Sequence, residues 1–160
     1  MRIAILTSGV RGPASYSLNL YRHLIGAGHD VLLVSESRWK KDRVPMYEAR
    51  SYPLLGLVPI VYRPGDVIRA IERFQPDVIH HQWPCGTMDL FVHRIVGLGV
   101  PVVATIHVAV NSTDFVWDRF FYLHFWWLKR RVAGLSALVS ISTFVHEQVR
   151  ERIDLQQSRV

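Results

Sequence analysis

The sequence has a single cysteine, Cys85, so no internal disulfide can form, and its composition fits a reducing cytosol rather than a secreted, disulfide-stapled module. Acidic residues are few. Thirteen Asp and Glu stand against nineteen Lys and Arg, a formal net charge of +6, and such a balance favours anionic partners: phosphates, nucleic acid or acidic lipid headgroups. Long apolar runs are also missing. The opening segment turns polar at Thr7 and Ser8 after a short apolar stretch, which suits a strand and is too short for a signal segment. The longest uncharged stretch, Ile95–Thr113, contains Gly97, Gly99, Pro101, His107 and Asn111. Helix breakers and polar groups make it a helix end, a turn and a buried strand rather than a membrane span. No repeat, low-complexity linker or break in composition marks a second domain. The nucleic-acid reading finds no support, because the basic residues are scattered and form no helix-turn-helix, zinc-finger or RNA-recognition signature.

What is present is a chain of 160 residues, 49% apolar and 20% charged, enough for one globular domain with a full core and too apolar for a disordered tail. Short Val- and Ile-rich runs alternate with stretches of helical spacing, the pattern of a parallel sheet covered by helices on both faces. The spacing predicts strands at Arg2–Leu6, Asp30–Val34, Asp77–His80, Pro101–Ile106 and Ala137–Ile141. It predicts helices at Ser15–Ile25, Pro64–Phe74, Thr87–Val96 and Phe115–Val132, and a last one capped by Ser142 or Thr143 and running to about Ile153. Gly26-Ala-Gly28 ends the first helix. Ser35–Arg63 reads as irregular, with a short strand near Ala49–Tyr52. The expected fold is therefore α/β: one doubly wound, mostly parallel, Rossmann-like sheet. In such sheets ligands bind at the carboxyl ends of the strands, where strand order reverses.

Candidate functional residues follow from that rule. Ser8 to Ser15 holds Gly9, Arg11, Gly12 and Pro13 before a helix. Backbone N–H groups of such a loop can approach a phosphate or a sugar hydroxyl; equally, the loop can be only a tight strand-to-helix turn. It lacks the third glycine of the dinucleotide fingerprint. Glu36, just past the second strand, can serve as a ribose-binding acid, which keeps a nucleotide-cofactor oxidoreductase as a third reading. His80, His81 and Cys85 invite a metal reading, but no second Cys or carboxylate lies close by. Structural or substrate-contacting histidines fit better, and no metal is expected. His107 ends an apolar strand and delivers a polar group to the ligand edge of the sheet. Within Phe115–Arg131, only His124 interrupts an apolar, largely aromatic run from Phe120 to Leu128, and Lys129, Arg130 and Arg131 follow. With Phe125, Trp126 and Trp127 it suits either a buried helix with a basic end or a membrane interface. Ser51–Tyr62 supplies a second uncharged patch, flanked by Arg50 and Arg63, that can face a lipid or another domain.

Four segments, in order, resemble the N-terminal domain of retaining glycosyltransferases of the two-domain GT-B architecture, the group that includes glycogen synthases and many mannosyl- and glucosyltransferases. They are Met1 through Gly12 to Gly28-His29-Asp30-Val31, then Pro76–His80, Gly99–His107 and Ala137–Val145. The resemblance implies transfer of a sugar from a nucleotide-sugar donor to a carbohydrate or lipid-linked acceptor, with no further cofactor. It aligns Gly12 with the second glycine of a loop near the donor phosphates and His107 with a histidine that touches the transferred sugar. It places Ser142 and Thr143 in a loop that closes on the cleft. Arg11 at the usual first glycine, Gln82 at a frequent second histidine and Val108 after His107 depart from the family pattern. Arg11, Gly12, His80, Ser142 and Thr143 are thus expected to bind donor or acceptor, with His107 as the catalytic residue. No Glu-x7-Glu pair follows, so the C-terminal nucleotide-binding domain is expected to be absent and the isolated domain inactive. A cytoplasmic location is expected, peripheral on an anionic inner membrane face if the aromatic helix is interfacial. The alternative is a module that binds a carbohydrate or lipid acceptor without chemistry.

Overall fold

The structure, a computed structural model, describes residues 1–8, 11–36, 44–49, 51–54, 58–61, 63–83, 86–107 and 134–152. Strand β1 (Arg2–Thr7) leads to helix α1 (Arg11–Gly26) and strand β2 (Asp30–Ser35). Three short strands follow: β3 (Tyr47–Glu48), β4 (Ser51–Leu54) and β5 (Val58–Val61). Helix α2 (Pro64–Phe74), strand β6 (Val78–Trp83), a 3-10 helix (Gly86–Phe91) and helix α3 (Val92–Val96) come next. Strands β7 (Val102–Ile106) and β8 (Ala137–Ser140) precede helix α4 (Thr143–Arg152).

Six strands form one sheet in the order β3-β2-β1-β6-β7-β8, and every pairing in it is parallel. The chain moves outward from β1 to β3, returns past β1 to β6 and then moves outward the other way. The order thus reverses between β1 and β6, and the crevice at their carboxyl ends is the natural ligand position. The doubly wound expectation is met.

Strand alternation divides the core in two. Ile3, Ile5 and Leu33 point to one face, where Leu20, Tyr21 and Leu24 of α1 pack on them. Ala4, Leu6, Val34, Ile79, Ala104 and Ile106 point to the other, against Val67, Ile68 and Ile71 of α2 and Ile95 of α3. Burying one such side chain contributes about 2 kcal/mol, so each helix is held by its apolar stripe more than by propensity. Helix α2 has the boundaries that the sequence predicts. Its proline stands at the first helical position, and it closes with Gln75 in the left-handed conformation (φ 50°), whose N–H bonds Ile71 and Glu72 carbonyls. Gly134, before β8, lies where a Cβ would come within 2.4 Å of Val96 Cγ1, so any larger residue there would force the Val96 side chain to move. Ser142 caps α4, its Oγ accepting the Val145 N–H at 3.2 Å.

Three expectations need correction. Helix α1 starts at Arg11, four residues before Ser15, because Pro13 falls within the first turn, where its missing N–H has no intrahelical partner to lose. Arg11 and Gly12 are therefore helical residues and not part of a loop. The Ser35–Arg63 region holds more than the one short strand expected near Ala49–Tyr52, which β4 overlaps: β4 and β5 pair antiparallel, with Pro53 opposite Pro59, a position open to proline because both strands of a two-stranded sheet are edges. The Thr87–Val96 helix is split into a 3-10 segment and a short α-helix.

Candidate functional site

The carboxyl end of β6 reads His80-His81-Gln82-Trp83, and alternation sends His80 and Gln82 to the α1 face and His81 and Trp83 to the other. In register, Gln82 stands beside Thr105 of β7, and on β1 and β2 the pair Thr7–Ser35 lies at the same edge. Ser35, Thr7, Gln82 and Thr105 are all buried. The α1 face thus carries a polar row across four strands, directly beyond its apolar core.

Two side-chain bonds run along the β6–β7 seam with the same offset. His80 Nε2 bonds Thr105 Oγ1 at 2.7 Å, and His107 Nε2 bonds Gln82 Oε1 at 2.5 Å. His107 extends the strand ladder by one step, its backbone N–H donating to the Trp83 carbonyl at 2.9 Å. Tyr16 of α1 sets its ring edge-on to the His107 ring, with centroids 4.8 Å apart, so the N-terminal part of α1 forms a wall of the site. Burial pushes the His107 pKa down. That of His80 falls to about 4, first through burial and then through the nearby His81 and His107 charges. At neutral pH both rings are uncharged and act as hydrogen-bonding groups rather than cations.

The opposite face is different. His81 Nε2 bonds Asp89 Oδ1 at 2.6 Å with both side chains sealed from solvent, and Glu36 Oε1 accepts the Met88 N–H at 2.7 Å. Both contacts pin the 3-10 helix against the sheet. Glu36 is fully buried and committed to that backbone, so it is not placed to hold a ribose, and the oxidoreductase reading loses its acid. His80 and His81 sit on opposite faces and do not converge on one ion. Among the described residues no group of three or more His, Cys, Asp or Glu gathers to hold a metal.

Of the sequence-predicted site residues, the structure brings His80 and His107 together through the seam. Arg11 and Gly12 open α1, the helix whose Tyr16 reaches His107. Ser142 and Thr143 lie at the start of α4, just beyond β8, whose Ser140 pairs with Ile106 of β7. They share the same sheet edge. Cys85, Phe125, Trp126, Trp127, Lys129, Arg130 and Arg131 lie outside the described residues. Among the described residues no helix is long and apolar enough to cross a membrane. Sequence reasoning missed Thr105, Tyr16 and the partnership of Gln82 with His107. Spacing by two places His80 and Gln82, like Thr105 and His107, on one face each, but which of them meet is set by the register of β6 and β7.

A family profile described as Glycosyltransferase Family 4 matches residues 10–160. No curated protein matches the chain significantly. Among solved structures, the glycosyltransferase SsfS6 from Streptomyces sp. SF2575, complexed with thymidine diphosphate, matches with a TM-score of 0.55 and 16% identity, over 84% of this chain and 46% of that one. The UDP-GlcNAc 2-epimerase from Methanocaldococcus jannaschii matches with a TM-score of 0.60 and 13% identity, over 100% of this chain and 45% of that one. At such identities the likeness is one of fold. The chain spans less than half the length of either protein.

Proposed function

The chain belongs to glycosyltransferase family 4, and from that premise we propose that it forms the N-terminal, acceptor-side half of a GT-B enzyme that transfers a sugar from a nucleotide-sugar donor, with retention. The observation that supports this reading best is the neutral, hydrogen-bonded His107 at the carboxyl edge of β7, close to the point where strand order reverses. A neutral imidazole orients sugar hydroxyls through hydrogen bonds rather than charge. Catalysis of this kind rests on positioning and on electrostatic stabilisation of the leaving phosphate. His107 and the Gly12 backbone orient the donor sugar, while His80, Arg11, Ser142 and Thr143 line the donor and acceptor path. The nucleotide is held by the further domain that completes the cleft. The acceptor is a carbohydrate or a lipid-linked one. In the second case Phe125–Arg131 would rest on the anionic inner face of the membrane.

In the complete enzyme, His107→Ala is expected to reduce sugar transfer about 100-fold, the scale of a lost positioning contact, with little change in the urea midpoint. Loss of stability with transfer retained would make His107 a core residue and overturn the assignment. The 160-residue chain alone is expected to show little or no transfer, and robust turnover by it would overturn the half-enzyme reading.

A further inference from the structure

Gln82 is fully buried between β1 and β7, and its side chain ends against the His107 ring. An amide oxygen only accepts, so the ring nitrogen it meets, Nε2, must carry the proton. We propose that Gln82 is a positioning residue that locks His107 in the Nε2–H form, leaving Nδ1 as a bare acceptor that reads a hydroxyl group on the ligand. The hydroxyl part of this inference rests on the sugar-transfer reading above; the locked tautomer does not.

Three observations carry it. The His107 backbone is held by its N–H bond to the Trp83 carbonyl and its ring lies against the Tyr16 ring, which keeps Nε2 facing the Gln82 amide oxygen. The seam repeats the device one step earlier, where His80 Nε2 meets Thr105 Oγ1, which shows that the β6–β7 spacing places this contact by register. Gln82 itself cannot swing away into solvent, because it lies fully buried within the sheet face. The chemical consequence is a polarity. A neutral ring protonated at Nε2 offers its Nδ1 lone pair, so it accepts from a hydroxyl and repels a phosphate or carboxylate oxygen, which also brings a lone pair. The site is thereby tuned to a neutral polyol at this point, with anionic parts of a donor directed elsewhere in the cleft.

The test is 15N NMR of the 160-residue chain labelled at histidine, with the His107 signals assigned by their loss in His107→Gln. Nε2 is expected to be protonated and Nδ1 bare at neutral pH. In Gln82→Leu the fixed form gives way to a mixture of both tautomers. In Gln82→Glu the carboxylate keeps the proton on Nε2 and raises the His107 titration midpoint. A proton on Nδ1 in the unmutated chain, with the Gln82 amide donating instead, overturns the proposal even if the leucine variant does not fold, as does an unchanged tautomer in a folded Gln82→Leu. In the complete enzyme, Gln82→Leu should lower kcat/KM roughly tenfold or more, as loss of a ring-orienting partner does. Gln82→Glu should move the acidic limb of the pH profile upward. The two readings fail separately. A complete enzyme without transfer but with the Nε2–H form refutes only sugar transfer, and transfer with the proton on Nδ1 refutes only the role of Gln82.

Discussion

His80 and His81 are neighbours in the chain and belong to two different regions of the molecule. On the α1 side, His80, Gln82, Thr105 and His107 form a seam whose outer end, His107, is only partly buried at the sheet edge. On the α2 and α3 side, His81, Asp89 and Glu36 are sealed and hold a 3-10 helix to the sheet. The first region uses polar groups that are uncharged at neutral pH and ends at the cleft. The second pairs a histidine with a carboxylate in the interior, an arrangement that tolerates the loss of neither partner and offers no open end to a ligand. One strand thus serves two purposes, because successive residues face opposite ways. Adjacent histidines are therefore poor evidence for a shared metal ion when they lie on a strand.

The sharpest way to break this division is Asp89→Ala. It leaves the buried His81 Nε2 without its acceptor and should destabilise the fold by about 3 kcal/mol or more, read from urea midpoints. A loss below about 1 kcal/mol would mean that the sealed pair is no more structural than a surface contact. Acid acts next, on the seam. In the unfolded chain His80 titrates near 6.5, whereas in the fold it holds out to about 4. Between those values the unfolded state binds a proton that the folded state refuses, so its contribution to stability is complete above pH 6.5 and falls away as the pH drops toward 4. The total is on the order of 3 kcal/mol. His107, shifted in the same direction, adds to it. Urea midpoints across this range should show a shallower slope in His80→Gln, and an identical slope would assign the acid sensitivity to other groups. Smallest is Thr105→Val, which removes one seam bond and should lower stability by about 1 kcal/mol, with His81–Asp89 untouched. A larger loss would show that the two faces are coupled.

Much of the architecture was legible because it depends on repetition. The Val- and Ile-rich runs of β1, β2, β7 and β8 lie within a residue or two of their predicted ends, and α2 is bounded by Pro64 and by the Gln75-Pro76 stop. What escaped depended on context. Strand β6 runs on to Trp83, past His80, since Gln82 is polar and yet interior, a combination that apolar periodicity reads as the end of a strand. The apolar spacing began α1 at Ser15, whereas the helix takes in Pro13 within its first turn. The β4–β5 hairpin was hidden by Pro53 and Pro59, which face one another where neither needs to donate to a third strand. His107 was visible as a candidate from its place at the end of a strand. Its partner was not, because a pairing between residues 25 positions apart emerges only once β6 and β7 are in register.

The central position of β1 has a consequence for how the protein is made. Its neighbour β6 lies far along the chain, and the Arg2 backbone bonds the Asp77 side chain across 75 residues. At roughly 5–20 residues per second of synthesis, β1 emerges about 4–15 s before that neighbour exists. During that interval Ile3 and Ile5 have only β2 and α1 to shield them, and Leu6, on the other face, is uncovered until α2 is made; all three are interior in the finished fold. The pause makes the nascent N-terminal third of the chain the segment most exposed to aggregation and to capture by chaperones.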